Sequence, residues 1–234
     1  MKLKIYCIPG LGCNQEIFHP LWQQLPQYKS AVQYLEFVDP ISTQESVAAY
    51  TKRLATTIPA PEADQITLIV GLSLGGMIAT ELSKLIPYQK LILISTIKHQ
   101  DERPRLFRLC TRVPVQGLLP SWVTRRVFPK LTTWFGSRMA TSNVLFGKMV
   151  SQMSPTHLVW GRNAAISWFN DQNPARCVHI HGTRDHIFNN KTMQVTHTIV
   201  GGTHGMIVDK SEEVALLVGQ EIAAVVTAIQ NTPA

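Results

Sequence analysis

Ser73 stands in Gly71-Leu72-Ser73-Leu74-Gly75, a glycine–x–serine–x–glycine arrangement. A serine hydroxyl is a poor nucleophile at neutral pH and becomes an effective one only when a general base takes its proton. The flanks of the motif matter as much as the motif. Ile66-Thr67-Leu68-Ile69-Val70, just before it, is a β-branched run of the kind that forms a buried parallel strand. A helical apolar pattern begins at Leu74. Strand, tight turn and helix make a nucleophile elbow, in which strained backbone lifts the hydroxyl above the sheet and nearby glycines keep Cβ atoms out of the turn. The plain alternative is a helix-capping serine among incidental glycines.

On such an elbow the partners follow in the chain order serine, acid, histidine. Asp185, in His181-Gly182-Thr183-Arg184-Asp185, comes directly after a predicted strand. His204, in Gly201-Gly202-Thr203-His204-Gly205, comes after a shorter strand and before the last helix. Asp209 is the rival acid. His181, at a strand end, reads as structural, and His186 reads as a surface residue within reach of Asp185. His19, His99, His157, His179 and His197 carry no motif. Acyl chemistry also needs donors for a developing oxyanion. The backbone N–H groups of Leu74, next to the serine, and of Leu11, in Pro9-Gly10-Leu11-Gly12, are the candidates. A plain glycine turn is the alternative for that loop. A phosphate cradle is not, because no Gly-Lys-Ser/Thr ending follows.

The elements that must position these residues can be read along the chain. Strands are predicted at 3–8, 32–38, 66–70, 91–95, 177–181 and 198–200, and helices at 17–25, 46–58, 74–86 and 214–229. Alternating strands and helices predict an α/β class with a mainly parallel sheet of about six strands flanked by helices. The alternation breaks between 97 and 170, where Pro104, Pro114, Pro120, Pro129 and Pro155 separate short helical pieces. The expected organisation is a core of 1–96 and 171–234 with a helical insertion, 97–170, after the strand at 91–95. Trp160 and Trp168, eight residues apart, fall on one helix face if the helix spans both. There they either line a substrate pocket or anchor the insertion to the core.

Charge is distributed unevenly. Segment 97–170 has eleven basic and two acidic residues, a net +9, while the whole chain is +7, so the remainder is −2. The basic character therefore belongs to the insertion. Arg103, Arg105 and Arg108 near its start mark a face for an acidic substrate or partner, against the plainer reading of a solvated surface. No nucleic-acid motif accompanies the charge. No apolar run reaches the roughly 18–20 residues of a membrane span, and the first residues lack a secretory pattern, so a cytoplasmic protein without stable membrane association is expected. Cys7, Cys13, Cys110 and Cys177 form no C-x-x-C pair and are expected as free thiols; Cys13 sits in the loop near the proposed oxyanion donors.

Through Pro9–Gly12, Gly71–Gly76, His181–Asp185 and Gly202–His204 the sequence resembles the α/β-hydrolase superfamily, within it the short bacterial hydrolases and, more distantly, carboxylesterases acting on pimeloyl-acyl-carrier-protein methyl esters. The similarity covers about 1–96 and 175–234. It implies the α/β-hydrolase fold, a Ser73–His204–Asp185 triad, a helical cap formed by 97–170 and no metal or organic cofactor. Two departures stand out. The oxyanion loop starts Pro9-Gly10 where the superfamily often has His-Gly, and no antiparallel hairpin leads into the first strand. The expected activity is hydrolysis of carboxylic esters or thioesters through an acyl-enzyme. Acyl transfer, C–C or amide cleavage on the same residues, and a non-catalytic small-molecule receptor, are the alternatives.

Overall fold

The computed structural model describes residues 2–105, 107–108, 140–188 and 193–231. Six strands form one sheet: β1 (Lys2–Ile8), β2 (Val32–Tyr34), β3 (Gln65–Leu72), β4 (Lys90–Ile94), β5 (Cys177–Gly182) and β6 (His197–Ile199). Every pairing is parallel, in the order β2-β1-β3-β4-β5-β6. The helices are α1 (His19–Gln23), α2 (Val47–Ala55), α3 (Leu74–Leu82), α4 (Ala140–Gln152), α5 (Pro155–Ser167), α6 (Met206–Asp209) and α7 (Ser211–Gln230).

Side chains of a strand alternate between the two sheet faces. Ile5, Cys7, Leu68, Val70, Ile92 and Ile94 pack on one face with Leu21 and Trp22 of α1 and Val214, Val218 and Ile222 of α7. Tyr6, Ile8, Ile69, Leu91 and Leu93 pack on the other with Tyr50 and Leu54 of α2 and Met77, Ile78 and Leu82 of α3. Both faces are covered, which is why the central strands read as almost unbroken apolar runs.

Three departures from the sequence expectation have a local reason. The second strand ends at Tyr34, not Val38. Its partner is β1, in the register Cys7↔Tyr34, so pairing two residues further on would meet Pro9, which has no N–H to give. The expected single helix at 17–25 is split into a 3-10 turn at Gln15–Phe18 and α1. Pro20 again lacks the donor a continuous helix needs at that position. The helix at 155–167 stops one residue before Trp168, whose ψ of 134° is extended, so the two tryptophans do not share a helix face.

Within the β4–β5 connection, 97–105, 107–108 and 140–170 are described. Cys110 and the basic residues Arg112, Arg125, Arg126, Lys130 and Arg138 lie outside the described residues. Cys7, Cys13 and Cys177 are free thiols, as expected. Among the described residues no helix is long and apolar enough to cross a membrane.

Candidate active site

The strand order places a crevice. The chain passes from β1 to β2 on one side, then crosses to β3 on the other, so the segments following β1 and β3 diverge at their carboxyl ends. Such a switch point is where an open parallel sheet offers a ligand site. The loop after Ile8 and the turn after Leu72 flank it, with Ile8 opposite Gly71 in the register.

Ser73 occupies that turn with φ 52° and ψ −119°, a left-handed conformation that costs a non-glycine residue on the order of 1–3 kcal/mol. Neighbouring bonds hold it there. Ser73 N–H donates to Ile94 O (3.0 Å), and Thr96 Oγ1–H donates to Ser73 O (2.6 Å). The motif glycines answer to crowding. A Cβ on Gly71 would lie 2.6 Å from Gly76 Cα, and one on Gly75 would collide with the backbone oxygens of Ile8 and Pro9. Gly75→Ala is therefore expected to destabilise the fold by about 3 kcal/mol, since rigid backbone cannot yield to an added methyl. A thermal melt checks this, and an unchanged midpoint would contradict the close approach.

Asp185 and His204 come from the loops after β5 and β6. Those loops are tied together: Arg184 N–H donates to Gly202 O (2.8 Å), and Gly201 N–H to Thr183 Oγ1 (2.8 Å). The result is a continuous file of hydrogen bonds. Ser73 Oγ–H donates to His204 Nε2 (2.9 Å), and His204 Nδ1–H donates to Asp185 Oδ2 (2.8 Å). Asp185 Oδ1 accepts the backbone N–H groups of Ile187 (2.8 Å) and Phe188 (2.9 Å). Burial alone would raise the Asp185 carboxyl, but the facing His204, the nearby His181 and the Phe188 N–H together hold it below the ordinary carboxylate value. His204 and Asp185 are 5 % and 6 % exposed, whereas Ser73 is open to solvent in part. The Ser73 hydroxyl is thus reachable while its two partners are screened.

Leu74 opens α3, and among the described residues neither its N–H nor that of Leu11 has a protein acceptor. Both belong to segments flanking the switch point. Their side chains lie under α5, where Gly161 approaches so closely that a Cβ there would meet Leu74 Cδ2 at 3.0 Å and collide with Leu11 Cδ1. The two tryptophans make anchoring contacts. Trp160 stacks on Tyr50 (centroids 4.1 Å apart) and donates its indole N–H to Glu45 O (2.9 Å), while Trp168 donates to Glu81 Oε1 (2.9 Å).

Four contributors have weak sequence signals. Thr96 braces the elbow, and Phe188 packs on the His204 ring (5.5 Å between centroids) against Phe107 (5.9 Å). His181 lies 3.4 Å from Asp185 Oδ2. Only His181 had a visible cue: with His179 it forms a period-two polar stripe along an otherwise apolar strand. Among the described residues no cluster of histidine, cysteine or acidic groups is arranged to hold a metal ion.

No protein-family model and no curated protein matches the chain. Solved structures do. A lipase-esterase related protein from Clostridium acetobutylicum is 16% identical, with a TM-score of 0.69 over 93% of each chain. A thermophilic esterase from Thermogutta terrifontis is 14% identical, with a TM-score of 0.66 over 96% of this chain and 91% of that one. ClbQ, from the colibactin NRPS/PKS pathway, is 15% identical, with a TM-score of 0.60 over 97% of this chain and 100% of that one. By these likenesses and by its parallel six-stranded sheet flanked by helices, the chain has the α/β-hydrolase fold.

Proposed function

We propose that this chain is a serine hydrolase that cleaves carboxylic esters or thioesters through an acyl-enzyme. The observation that carries the reading is the position of His204, hydrogen-bonded at one ring nitrogen to Ser73 and at the other to Asp185. His204 takes the Ser73 proton as Oγ attacks the carbonyl carbon, and Asp185 keeps Nδ1 protonated and balances the imidazolium. The Leu11 and Leu74 N–H groups hold the oxyanion. The intermediate collapses with His204 protonating the leaving alcohol or thiol. His204 then deprotonates water, which attacks the acyl carbonyl and frees Ser73. Phe188 on the His204 ring, backed by Phe107, makes the surroundings of the site apolar, which favours a hydrophobic acyl or alcohol group, and segment 97–170 is read as the cap over it. The neighbours described as esterases and a lipase-esterase related protein support the ester class.

A panel of p-nitrophenyl esters and acyl thioesters tests the reading. Turnover that rises with acyl chain length is expected. Fluorophosphonate labelling of Ser73 without turnover of any ester or thioester would favour amide, C–C or transfer chemistry. Absence of both labelling and turnover would favour a receptor.

The charge of 97–170 supports a narrower reading, a substrate or docking partner that carries negative charge. Lys98 is buried against Glu102, and Arg103 is half-buried with its guanidinium donating to Ile166 O. Of the arginines predicted to face an acidic group, Arg105 and Arg108 are the exposed ones. Steering by such charges weakens as salt shortens the Debye length to about 8–10 Å near physiological strength. So kcat/KM for a carboxylate-bearing ester is expected to fall as salt rises, while that for a neutral short ester stays flat. Arg105→Glu with Arg108→Glu should reproduce the selective loss at low salt. Equal responses from both esters would leave the charge as surface alone.

A further inference from the structure

We infer that His181 is a positioning residue for this site: a neutral imidazole whose Nε2–H, hydrogen-bonded to Phe188 O, sets its positive end 3.4 Å from the Asp185 oxygen that His204 uses. This rests on the reading of Ser73, His204 and Asp185 as the reacting set.

His181 Nε2 lies between two oxygens, Phe188 O at 3.0 Å and Asp185 Oδ2 at 3.4 Å. A bare nitrogen lone pair facing a carbonyl and a carboxylate would be repelled by both, so Nε2 carries the proton. Nδ1 is then the bare nitrogen. It is buried and has no hydrogen-bond partner among the described residues. Protonating it would leave a buried Nδ1–H without an acceptor among the described residues.

Burial favours the same state, against the pull of the nearest charge, Asp185. His179 meets the His181 ring edge-on at 5.3 Å. It donates from Nε2 to Thr96 O (3.0 Å), and its Nδ1 faces Lys98 Nζ at 3.5 Å. Lys98 is held by Glu102 and by Gln194 O (2.7 Å). The groups around His181 are thus Asp185 and His204 from the loops after β5 and β6, His179 on its own strand, and the Lys98–Glu102 pair beyond it. Burial lowers the His181 imidazole, and Asp185 and Phe188 O only partly offset this. Burial also pushes His179 down to about 3, with His181 and Lys98 adding to it. Burial thus disfavours a proton on either ring.

A neutral N–H dipole beside Oδ2 has two effects. It helps keep a buried carboxylate ionised, because a positive dipole end nearby favours the charged form. It also shares the charge of Oδ2, so that Asp185 does not overstabilise the imidazolium of His204. Removing the donor strengthens the pull on His204 and makes that proton harder to shed. His181→Leu keeps volume and loses the N–H, whereas His181→Gln can return an amide N–H to the same place.

The test reads the pH dependence of fluorophosphonate labelling, which needs no natural substrate. In His181→Leu the acid limb is expected to move up by about 0.5–1 pH unit, with labelling at neutral pH slowed several-fold; His181→Gln should restore most of both. An unmoved limb in a folded His181→Leu protein, or equal shifts in the two variants, would overturn the inference. Nitrogen-15 shifts of the wild-type imidazoles supply a check that needs no variant: His181 should remain a neutral Nε2–H tautomer from pH 5 to 9, and titration within that range would overturn it. The low-field proton of a His204–Asp185 bond separates the two readings. Its absence from the wild type would remove the underlying triad, whereas its presence, unchanged in His181→Leu, would remove only the role given to His181.

Discussion

Replacing Ser73 by alanine is expected to lower kcat/KM for any turned-over ester by about 10³-fold or more, with the melting temperature nearly unchanged. The size follows from the chemistry. Without Oγ no covalent intermediate forms, and what remains is attack by water in the field of the Leu11 and Leu74 donors. The small size of the stability change follows from the backbone. Ser73 is held at φ 52° by bonds to Ile94 and Thr96, which the substitution leaves in place. Its Oγ contributes one partly exposed hydrogen bond, whose net worth in folding is only about 1 kcal/mol. A variant that lost both activity and stability would indicate that the hydroxyl holds the fold together and does not act in turnover.

Asp185→Asn should be nearly as severe, on the order of 10³–10⁴-fold in kcat. The Asp185 side chain accepts three hydrogen bonds, from two backbone N–H groups at Oδ1 and from His204 at Oδ2 (2.8 Å), and His181 Nε2 lies 3.4 Å from Oδ2. An amide cannot accept on both sides. With its oxygen toward the Ile187 and Phe188 N–H groups, its NH₂ faces His204 Nδ1 and selects the tautomer whose Nε2 already bears a proton. That His204 cannot receive the Ser73 proton. Asp209, the acid that the sequence left as a rival, is the last residue of the short helix α6, and it is not the carboxylate that Nδ1 meets. Asp209→Asn is expected to retain most turnover. Steady-state kinetics on both folded variants checks this, and comparable losses would reassign the acid.

Much of this site is legible in the chain because each part has a local signature. The β-branched run before Ser73 must be a buried strand. The glycines around it are required by backbone that approaches from β1 and α3. Asp185 and His204 follow strands in an order the elbow dictates. The order β2-β1-β3-β4-β5-β6 was not spelled out, since parallel pairing is decided by long-range contacts and not by neighbours in sequence. Local rules overstate element lengths where proline removes a donor from a partner: Pro9 ends β2 from across the sheet, and nothing at 35–38 announces it. Trp160 and Trp168 satisfied a helical spacing, but the helix ends between them, and their indoles are spent on Glu45 and Glu81. His181 was set aside as structural because its partner, Phe188 O, and the shared Asp185 oxygen become neighbours only when the loop after β5 folds back.

The account stands most directly on one covalent bond. Mixing the protein with an activated ester at low pH, quenching within the first turnover and measuring the mass of the peptide that contains Ser73 should show the acyl group added there. With the activated ester, the adduct in His204→Ala should form more slowly and then persist, because both steps need the same base. An unmodified Ser73 peptide during demonstrable wild-type turnover, or an acyl group found on another residue such as Cys13, would contradict the account.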